Sequence, residues 1–295
     1  IYVDPTIVDQ TRRLTPLVEV VPLITNYGRT AEFNRLTARG VVGAAAEDAN
    51  LNDVNDTFAR TSVGIRFFYE VGRVTGPMQA ASRPYLSQQY IDALNLEVRN
   101  KTISLRYVEE DTIINGDATT TRTAYGAVAT IPANEYNGLR LTITTNNDAI
   151  GGAITIANLR TQIRRARTAR EDAVLGQGDP NLILTDFTTM DNIKARLQDF
   201  TRYVNTNYEI AWGLKTLEFE GLPVLPSKFM PTVVDTRELL VLSLDTWQMR
   251  VLQDVTYEEL AKVNDSQKFM IKVYEALIGT AEQFNGRMRT LSDAI

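Results

Sequence analysis

Carboxylates are the first residues whose types could support chemistry. Glu109, Glu110 and Asp111 stand side by side in the stretch VEEDTIINGD, which closes a predicted long helix. In general, paired carboxylates of a protein can serve as the acid and the base of a glycosidase-type reaction, so a carboxylate-dependent hydrolase is one candidate function, with no pair singled out. The chain has 36 Asp and Glu residues, however, so pairs arise by chance, and no flanking pattern marks a catalytic one.

A run of arginines is the second group with a possible chemical role. The segment RTQIRRARTAR holds Arg160, Arg164, Arg165, Arg167 and Arg170. Arg160, Arg164 and Arg167 fall on one face of a predicted helix, which is the arrangement that contact with phosphate groups needs. The same face could instead be solvated, or could pair with acidic residues of another subunit. A net charge of −5 and a pI near 5.1 favour these two alternatives over nucleic-acid binding.

Two residue types are missing from the sequence, and their absence excludes several functions. The chain has no cysteine and no histidine, so it has no disulfide, no thiol nucleophile and neither of the commonest zinc ligands. The phosphate-loop pattern G-x-x-x-x-G-K-[ST] does not occur, and NLNDVND lacks the central Gly and terminal Glu of a calcium loop. We therefore predict no catalytic, cofactor-binding or metal site.

The overall composition is that of a globular protein with a sizeable core. The 295 residues are 44% hydrophobic and 23% charged, and no apolar run approaches the roughly 20 residues that a membrane span needs. Arginine outnumbers lysine by 24 to seven and there are 12 tyrosines, a bias typical of protein–protein contact surfaces. The chain starts at Ile1 rather than Met, which fits proteolytic removal of a leading segment or a choice of numbering.

The first 80 residues are predicted to be extended. Pro5, Pro16 and Pro22 interrupt residues 1–27, which blocks helix and limits sheet pairing, so we expect an arm. Residues 28–80 are predicted to form a hairpin from the strands GRTAEFNRLTAR and TFARTSVGIRFFYEVGRVTG. A lone two-stranded hairpin is marginal in water. This one must either pack on its own domain or lie on a neighbouring molecule, and the pattern does not distinguish these alternatives.

A long helix and a mixed domain are predicted for the rest of the chain. The helix runs from Pro84 to Asn115, about 45 Å at 1.5 Å per residue, and we expect Gly116 to end it in a left-handed conformation. Two short strands, AYGAVATI and GLRLTITT, should follow. From residue 153 onward the pattern predicts the helix TIANLRTQIRRARTAREDAV, the strand LILT, the helix TMDNIKARLQDF and further strands. The fold class is therefore α+β.

Four stretches, in their order along the chain, resemble the major capsid proteins of tailed viruses, which share the Hong Kong ninety-seven fold. They are the hairpin before a long "spine" helix, the helix ending VEEDTIINGD, the run from NLRTQIRRAR through GDPNLILTDFTTMDNIKARLQD, and the strand turn GLPVLPSKFMP. The resemblance implies five segments. They are an N-terminal arm (1–27), an extended loop or E-loop (28–80), a spine helix in the peripheral domain (81–118), a mainly axial domain (119–235) and return strands of the peripheral domain (236–295).

The resemblance also implies a structural function. Copies of the chain would form the pentamers and hexamers of an icosahedral or prolate shell in the virion, assembled in the host cytoplasm around double-stranded DNA as non-specific cargo. Scaffolding, portal and decoration or cement proteins would be further partners, with no membrane and no enzymatic activity. An encapsulin-like compartment is the alternative within the same fold, but the proline-interrupted start lacks the cargo-holding N-terminal helix of encapsulins.

The acidic end of the helix needs a physical explanation, because carboxylates there are disfavoured by a few tenths of a kcal/mol each. In the family, E-loops overlie adjacent subunits, so arginines from a neighbour's loop could bind these acids in charge-assisted pairs; solvation is the alternative. We predict contacts between subunits at the loop arginines Arg39, Arg60, Arg66 and Arg73 and at the acids Glu109, Glu110 and Asp111. Some relatives cross-link a loop lysine to an asparagine. This chain has no lysine before Lys101, so we expect non-covalent contacts or a cement protein.

Overall fold

The computed structural model of the chain describes residues 14–40, 43–48, 50, 53–82, 93–123, 130–131, 133–172, 174–198, 207–209, 215–262 and 264–292. These residues form the helices α1 (Pro16–Val20), α2 (Gly76–Ser82), α3 (Ala93–Asn115), α4 (Leu139–Thr142), α5 (Ile156–Arg167) and α6 (Phe187–Gln198). The first strands are β1 (Leu23–Thr25), β2 (Thr30–Ala38), β3 (Thr57–Gly64), β4 (Arg66–Thr75), β5 (Arg122–Thr123), β6 (Thr130–Ile131) and β7 (Asn147–Gly152). The later strands are β8 (Leu182–Thr185), β9 (Asn207–Glu209), β10 (Lys215–Phe219), β11 (Leu222–Pro226), β12 (Arg237–Leu242), β13 (Trp247–Leu260), β14 (Ser266–Gly279) and β15 (Gly286–Leu291).

The chain divides into two units, each made of discontinuous segments. Unit 1 takes in residues 1–29, 65–138 and 249–277, and unit 2 takes in residues 30–64, 139–248 and 278–295. Helices and sheets occur in both units, which confirms the predicted α+β class. Among the helices of the described segments, none combines the length and the apolar character that crossing a membrane requires.

Unit 1 is built from helix α3 and a four-stranded sheet in the order β1-β13-β14-β4. Strand β1 runs parallel to β13, and β4 pairs antiparallel with β14. Helix α3 packs on β4, and α1 packs on α3. Side chains alternate along β4, so that Phe68 and Val74 are buried while Phe67, Tyr69 and Val71 are exposed. One face of this sheet therefore forms a core, and the other remains open.

Unit 2 is centred on a seven-stranded sheet in the order β7-β15-β12-β8-β11-β10-β9. Every residue of β8 and β12 is buried, as expected for central strands that read as continuous apolar runs and are covered on both faces. Leu159 and Ile163 of α5 and Ile193 of α6 belong to the same core cluster. Two neighbouring apolar runs, LILT and ELLVL, thus define the centre of the unit.

Polar side chains inside unit 2 are matched with partners. Glu238 on β12 binds the guanidinium groups of Arg140 and Arg287, with N–O distances of 2.6–2.8 Å. Burial alone would raise the pKa of Glu238, but the hydrogen bonds and charges of both arginines outweigh it and hold that pKa below its ordinary value. The Asn285 carboxamide, also buried, accepts hydrogen bonds from the Ser243 N–H and the Trp247 indole N–H, each at 2.8 Å.

The predicted hairpin is present, but its second strand is shorter than expected. Strands β2 and β3 form a sheet of their own, with a bulge between Leu36 and Ala38. The strand is interrupted at Ile65, whose N–H donates to the Arg29 carbonyl at 2.9 Å. The following residues form β4 in the four-stranded sheet. One continuous strand was expected over this segment; it is divided between two sheets.

The prediction for the arm was partly wrong. Residues 16–25, expected to be extended, contain α1 and β1. A proline is compatible with this helix because Pro16 lies in its first turn, where a backbone N–H would have no hydrogen-bond partner within the helix. The expected strand GLRLTITT begins instead as helix α4. Residues 1–13 of the arm, the helix start at 84–92 and residues 124–129 of the strand AYGAVATI lie outside the described residues.

Gly116 ends the long helix for a different reason from the one expected. Its φ is not positive, so no left-handed turn requires a glycine there. A β-carbon at this position would overlap the carbonyl oxygen of Tyr136. The Gly116 N–H donates to the Thr112 carbonyl, and the Gly138 N–H donates to the Gly116 carbonyl, both at 2.9 Å. Close approach of two backbone segments is what excludes a side chain.

We expect Gly72→Ala to destabilise unit 1 by about 1–3 kcal/mol through overpacking. Gly72 pairs with Phe269 across β4 and β14, and a β-carbon there would overlap the buried Phe269 ring. Gly64→Ala is the matched control, because the space around Gly64 is open and its φ is not positive. Chemical denaturation of both variants measures the difference. Equal stabilities would show that the ring moves aside without loss.

Candidate subunit-contact site

The acids at the end of α3 are buried inside their own chain. Glu109, Glu110 and Asp111 are 1%, 0% and 3% exposed. The Glu110 carboxyl accepts hydrogen bonds from the backbone N–H groups of Leu17, at 3.2 Å, and Val18, at 2.9 Å. These amides belong to the first turn of α1 and have no partner within that helix. Glu110 therefore fastens α1 to the end of α3.

A single arginine binds two of the buried carboxylates in this region. The Arg122 guanidinium lies 2.5 Å from Asp111 Oδ2 and makes a two-pronged contact with Glu135, at 2.7 and 2.9 Å. Glu135 also accepts a hydrogen bond from the Thr112 hydroxyl at 3.0 Å. One guanidinium group therefore serves both carboxylates, Asp111 and Glu135. Both are buried, where an ion without a partner would be strongly destabilising.

Glu109 and Glu275 form the second part of the cluster. Arg106 binds one oxygen of Glu109 at 2.8 Å, while the other oxygen is buried without a hydrogen-bond partner. Glu275, on β14, accepts a hydrogen bond from the hydroxyl of the buried Tyr136 at 3.3 Å. Burial, reinforced by the negative charge of Glu109, raises the pKa of Glu275 to about 8. Burial also raises the pKa of Glu109, and it raises that of Glu110 to about 8.

The cluster explains why a helix can end in acid. Proton binding at neutral pH removes the charge of Glu110 and Glu275 that would otherwise stand unpaired in a region of low polarity. Asp111 is compensated by Arg122, and Glu109 by Arg106. The closed surroundings of Glu109 and Glu110 also leave no room for a substrate, which argues against a hydrolase.

Four loop arginines were predicted to bind these acids in an adjacent subunit. Arg39 and Arg73 are exposed, Arg60 forms an ion pair with Glu32 across the hairpin, and Arg66 is half-buried at the start of β4. Across the described residues, none of the four forms an ion pair with Glu109, Glu110 or Asp111 of the same chain. Since the structure holds a single copy, pairing between copies stays a prediction.

An aromatic surface of unit 1 is exposed, on the strand face where the sequence alternation places Phe67, Tyr69 and Val71 together. The rings of Phe67 and Tyr69 stack with centroids 5.1 Å apart, and Phe67 lies 5.0 Å from Tyr274 on β14. Tyr69 is 58% exposed and Val71 is 43% exposed. We name Phe67, Tyr69, Val71 and Tyr274 the open sheet face. A signal was present in the sequence, because apolar residues occupy both faces of the segment RFFYEV.

We expect Arg122→Ala to destabilise the chain by about 3–5 kcal/mol, since it leaves Asp111 and Glu135 buried without a cation. Arg99→Ala on the exposed side of α3 is the control and should lie within about 0.5 kcal/mol of the wild type. Chemical denaturation measures both. The triple variant Arg122→Met, Asp111→Asn, Glu135→Gln removes all three charges. If it regains the wild-type stability, the unpaired carboxylates are the cause of the loss in Arg122→Ala. A loss no larger than that of Arg99→Ala would contradict the pairing.

The stability of unit 1 should fall as pH rises from about 4.5 to about 8. In this range the folded chain binds more protons than the unfolded chain, because the pKa values of Glu110 and Glu275 are raised from 4.5 to about 8. The stabilisation that these protons provide is fully present below pH 4.5 and is lost as the pH rises from 4.5 to 8. For each group, the free energy of unfolding falls by about 1.4 kcal/mol per pH unit in this range.

Thermal unfolding of the dissociated chain between pH 5 and 8.5 tests this pH dependence. Glu275→Gln removes one of these titrations, so we expect its slope to be less steep than that of the wild type. Glu259→Gln, at an exposed position of β13, should keep the wild-type slope. Identical slopes in all three proteins would show that Glu275 is ionised throughout.

Comparison with known proteins agrees with this architecture. No curated protein matches the chain. Three solved structures are similar to it: the holo-SrpI encapsulin complex from Synechococcus elongatus PCC 7942 (11% identity, TM-score 0.70, covering 98% of this chain and 94% of that one), the cyanophage A-1(L) capsid asymmetric unit (17%, 0.67, 98% and 96%) and the capsid of Myoviridae phage XM1 (10%, 0.65, 99% and 97%). At such identities the likeness concerns the fold, and it confirms the predicted Hong Kong ninety-seven type.

The family model described as SU10 major capsid protein matches residues 29–290, which is most of the chain. A structural role in a capsid, rather than an enzymatic one, was predicted and is confirmed by this match. The chain belongs to the SU10 major capsid protein family.

Proposed function

We propose that copies of this chain assemble as pentamers and hexamers into an icosahedral or prolate shell that encloses double-stranded DNA. Incomplete burial is the observation that carries the proposal. The hairpin β2–β3 forms a sheet of two strands, and Phe58 within it is 67% exposed. A two-stranded sheet needs a second layer for stability in water. The open sheet face presents aromatic side chains that also need cover.

The hairpin of one copy is proposed to lie on the open sheet face of the next. Cations flank that face, because Arg73 on β4 stands opposite Lys268 on β14. The hairpin end is acidic: no lysine or arginine occurs between Arg39 and Arg60. Its exposed carboxylates are Glu47, Asp48, Asp53 and Asp56. Apolar cover along the strands and opposite charges at the end would fix the register of the two copies.

The loop arginines are part of the same proposal. Arg39, Arg60, Arg66 and Arg73 would bind carboxylates of an adjacent subunit. Sequence reasoning named Glu109, Glu110 and Asp111 as their partners. Because these three acids are buried and bound within their own chain, exposed carboxylates are the better partners for Arg39 and Arg73.

We assign unit 1 to the peripheral domain and unit 2, apart from the hairpin, to the axial domain. The boundaries then fall at residues 138/139, 248/249 and 277/278 rather than at 118/119 and 235/236. The arm (1–27) and the E-loop (28–80) keep the roles that the family implies, whereas only residues 249–277 of the predicted return strands (236–295) stay in the peripheral domain. Residues 65–75 of the E-loop segment would serve the peripheral sheet instead, since β4 pairs with β14.

Further partners follow from the family. We propose that scaffolding and portal proteins take part in assembly in the host cytoplasm and that decoration or cement proteins strengthen the shell. The likeness to an encapsulin keeps a cargo compartment as the second candidate, although the match to a capsid family favours the virion. Nuclease-protected double-stranded DNA in purified particles would distinguish the two.

We expect Phe58→Asp and Tyr69→Glu each to reduce the yield of shells at least tenfold, because each places a charge in the proposed hairpin–sheet contact. Phe58→Leu and Tyr69→Phe keep the apolar surface and should assemble normally. Negative-stain microscopy and light scattering of the purified protein measure the yield, and circular dichroism confirms folding. Normal shells from both charged variants would refute this arrangement of copies.

A further inference from the structure

A cleft of about 810 Å³ in unit 2 is not used by the contacts described so far. Three arginines of α5, Arg160, Arg164 and Arg167, line one wall. The buried Ile163 also lines the cleft, and so does Glu220 in the turn between β10 and β11. The other lining residues are Thr168, Glu171, Asp172, Leu175, Gly176 and Gln177. The volume falls within the range of ligand-binding pockets. The helical face predicted from arginine spacing thus opens onto a cavity.

The three arginines differ in whether they already form ion pairs within the chain. Arg160 Nε lies 2.5 Å from Glu220 Oε1, and Arg164 Nη2 lies 3.5 Å from Glu171 Oε1. The exposed Arg167 side chain has no ion pair or hydrogen bond with any described residue. A guanidinium has five N–H donors arranged to match a carboxylate or a phosphate. Arg167 is therefore available to a group from outside the chain.

The backbone beside Arg167 is held in an unusual conformation. Ala169, Arg170 and Glu171 have φ values of 46°, 60° and 63°, and three consecutive non-glycine residues in the left-handed region are sterically unfavourable. Arg170 Nη1 donates to the Thr145 carbonyl at 2.6 Å, and the Thr168 hydroxyl accepts from the Glu171 N–H at 3.2 Å. Backbone strain fixed in this way is concentrated at functional sites. Here it sets Glu171 and Asp172 in the lining of the cleft.

We propose that this cleft receives a carboxylate-bearing segment of a second copy of the chain and that Arg167 binds the carboxylate. Glu171, Asp172 and Glu220 also line the cleft and offset its three arginines, so the cleft lacks the net positive charge with which proteins bind a nucleic-acid backbone. A peptide segment needs no such charge, because it brings a single carboxylate to Arg167. With a net charge of −5, the chain has carboxylates to supply. The proposal rests on the proposed function, since it requires copies packed side by side.

Chemical coupling tests the contact directly. Arg167→Lys places an amine in the cleft, and a carbodiimide joins an amine to a carboxylate in contact with it. In particles assembled from equal parts of ¹⁵N-labelled and unlabelled chains, we expect mass spectrometry to detect peptides joining position 167 of one copy to an Asp or Glu of another. Their yield should be at least tenfold higher in shells than in dissociated chains. Arg289→Lys, at an exposed arginine of β15, is the control and should give no such enrichment.

Charge reversal provides an independent measurement. We expect Arg167→Glu to lower the yield of shells at least tenfold without changing the thermal midpoint of the chain, and Arg289→Glu to assemble normally. Normal shells from Arg167→Glu, or the absence of coupled peptides between copies, would overturn the inference. Normal shells with less nuclease-protected DNA would overturn it in favour of phosphate binding. A wild-type chain that forms no shell would instead overturn the proposed function.

Discussion

Unit 1 depends on the burial of more acid than base at one end of its long helix. Glu109, Glu110, Asp111, Glu135 and Glu275 are all buried, and among the described residues Arg106 and Arg122 are the cations that form ion pairs with them. A region of low polarity does not tolerate this excess of charge. The chain meets the constraint with bound protons, with one arginine shared between two carboxylates, and with the first amides of α1. The same contacts join the arm, the spine helix and the sheet, so the layout of unit 1 follows from charge compensation.

Sequence reasoning succeeded where a single local rule decides the structure. The apolar run LILT predicted a strand, and the segment beginning TFARTSVG predicted the second half of the hairpin. It failed where tertiary contacts override the local rule. Pro16 starts a helix because that helix docks its amides on Glu110, 92 or more residues away. Gly116 was assigned a turn, whereas its lack of a side chain serves the approach of the Tyr136 backbone. The break at Ile65 depends on a strand pairing with β14 that no local pattern encodes.

The residue types of the candidate site could be predicted from the sequence, but their surroundings could not, because these depend on tertiary contacts. The acids and arginines were recognised by type and spacing, and the arginines of α5 do share one surface. Burial of the acids within their own chain was not foreseen, because burial depends on which segments pack around the helix end. Alternation along the strand placed Phe67, Tyr69 and Val71 on one face, but whether that face is covered depends on what packs against it. Within the single chain it stays exposed, which is why the proposed function gives it to another copy.

The contact at Gly116 and Gly138 has a consequence for how long the protein survives. Asn-Gly sequences are the weak points of aged proteins, since the glycine nitrogen attacks the asparagine side chain and releases ammonia. This chain contains three such sequences, Asn115-Gly116, Asn137-Gly138 and Asn285-Gly286. In the first two, the glycine N–H is already held by a backbone carbonyl, so the nitrogen is turned away from the attack. The backbone contact that excludes a side chain at Gly116 thereby also protects Asn115 and Asn137 from chemical ageing.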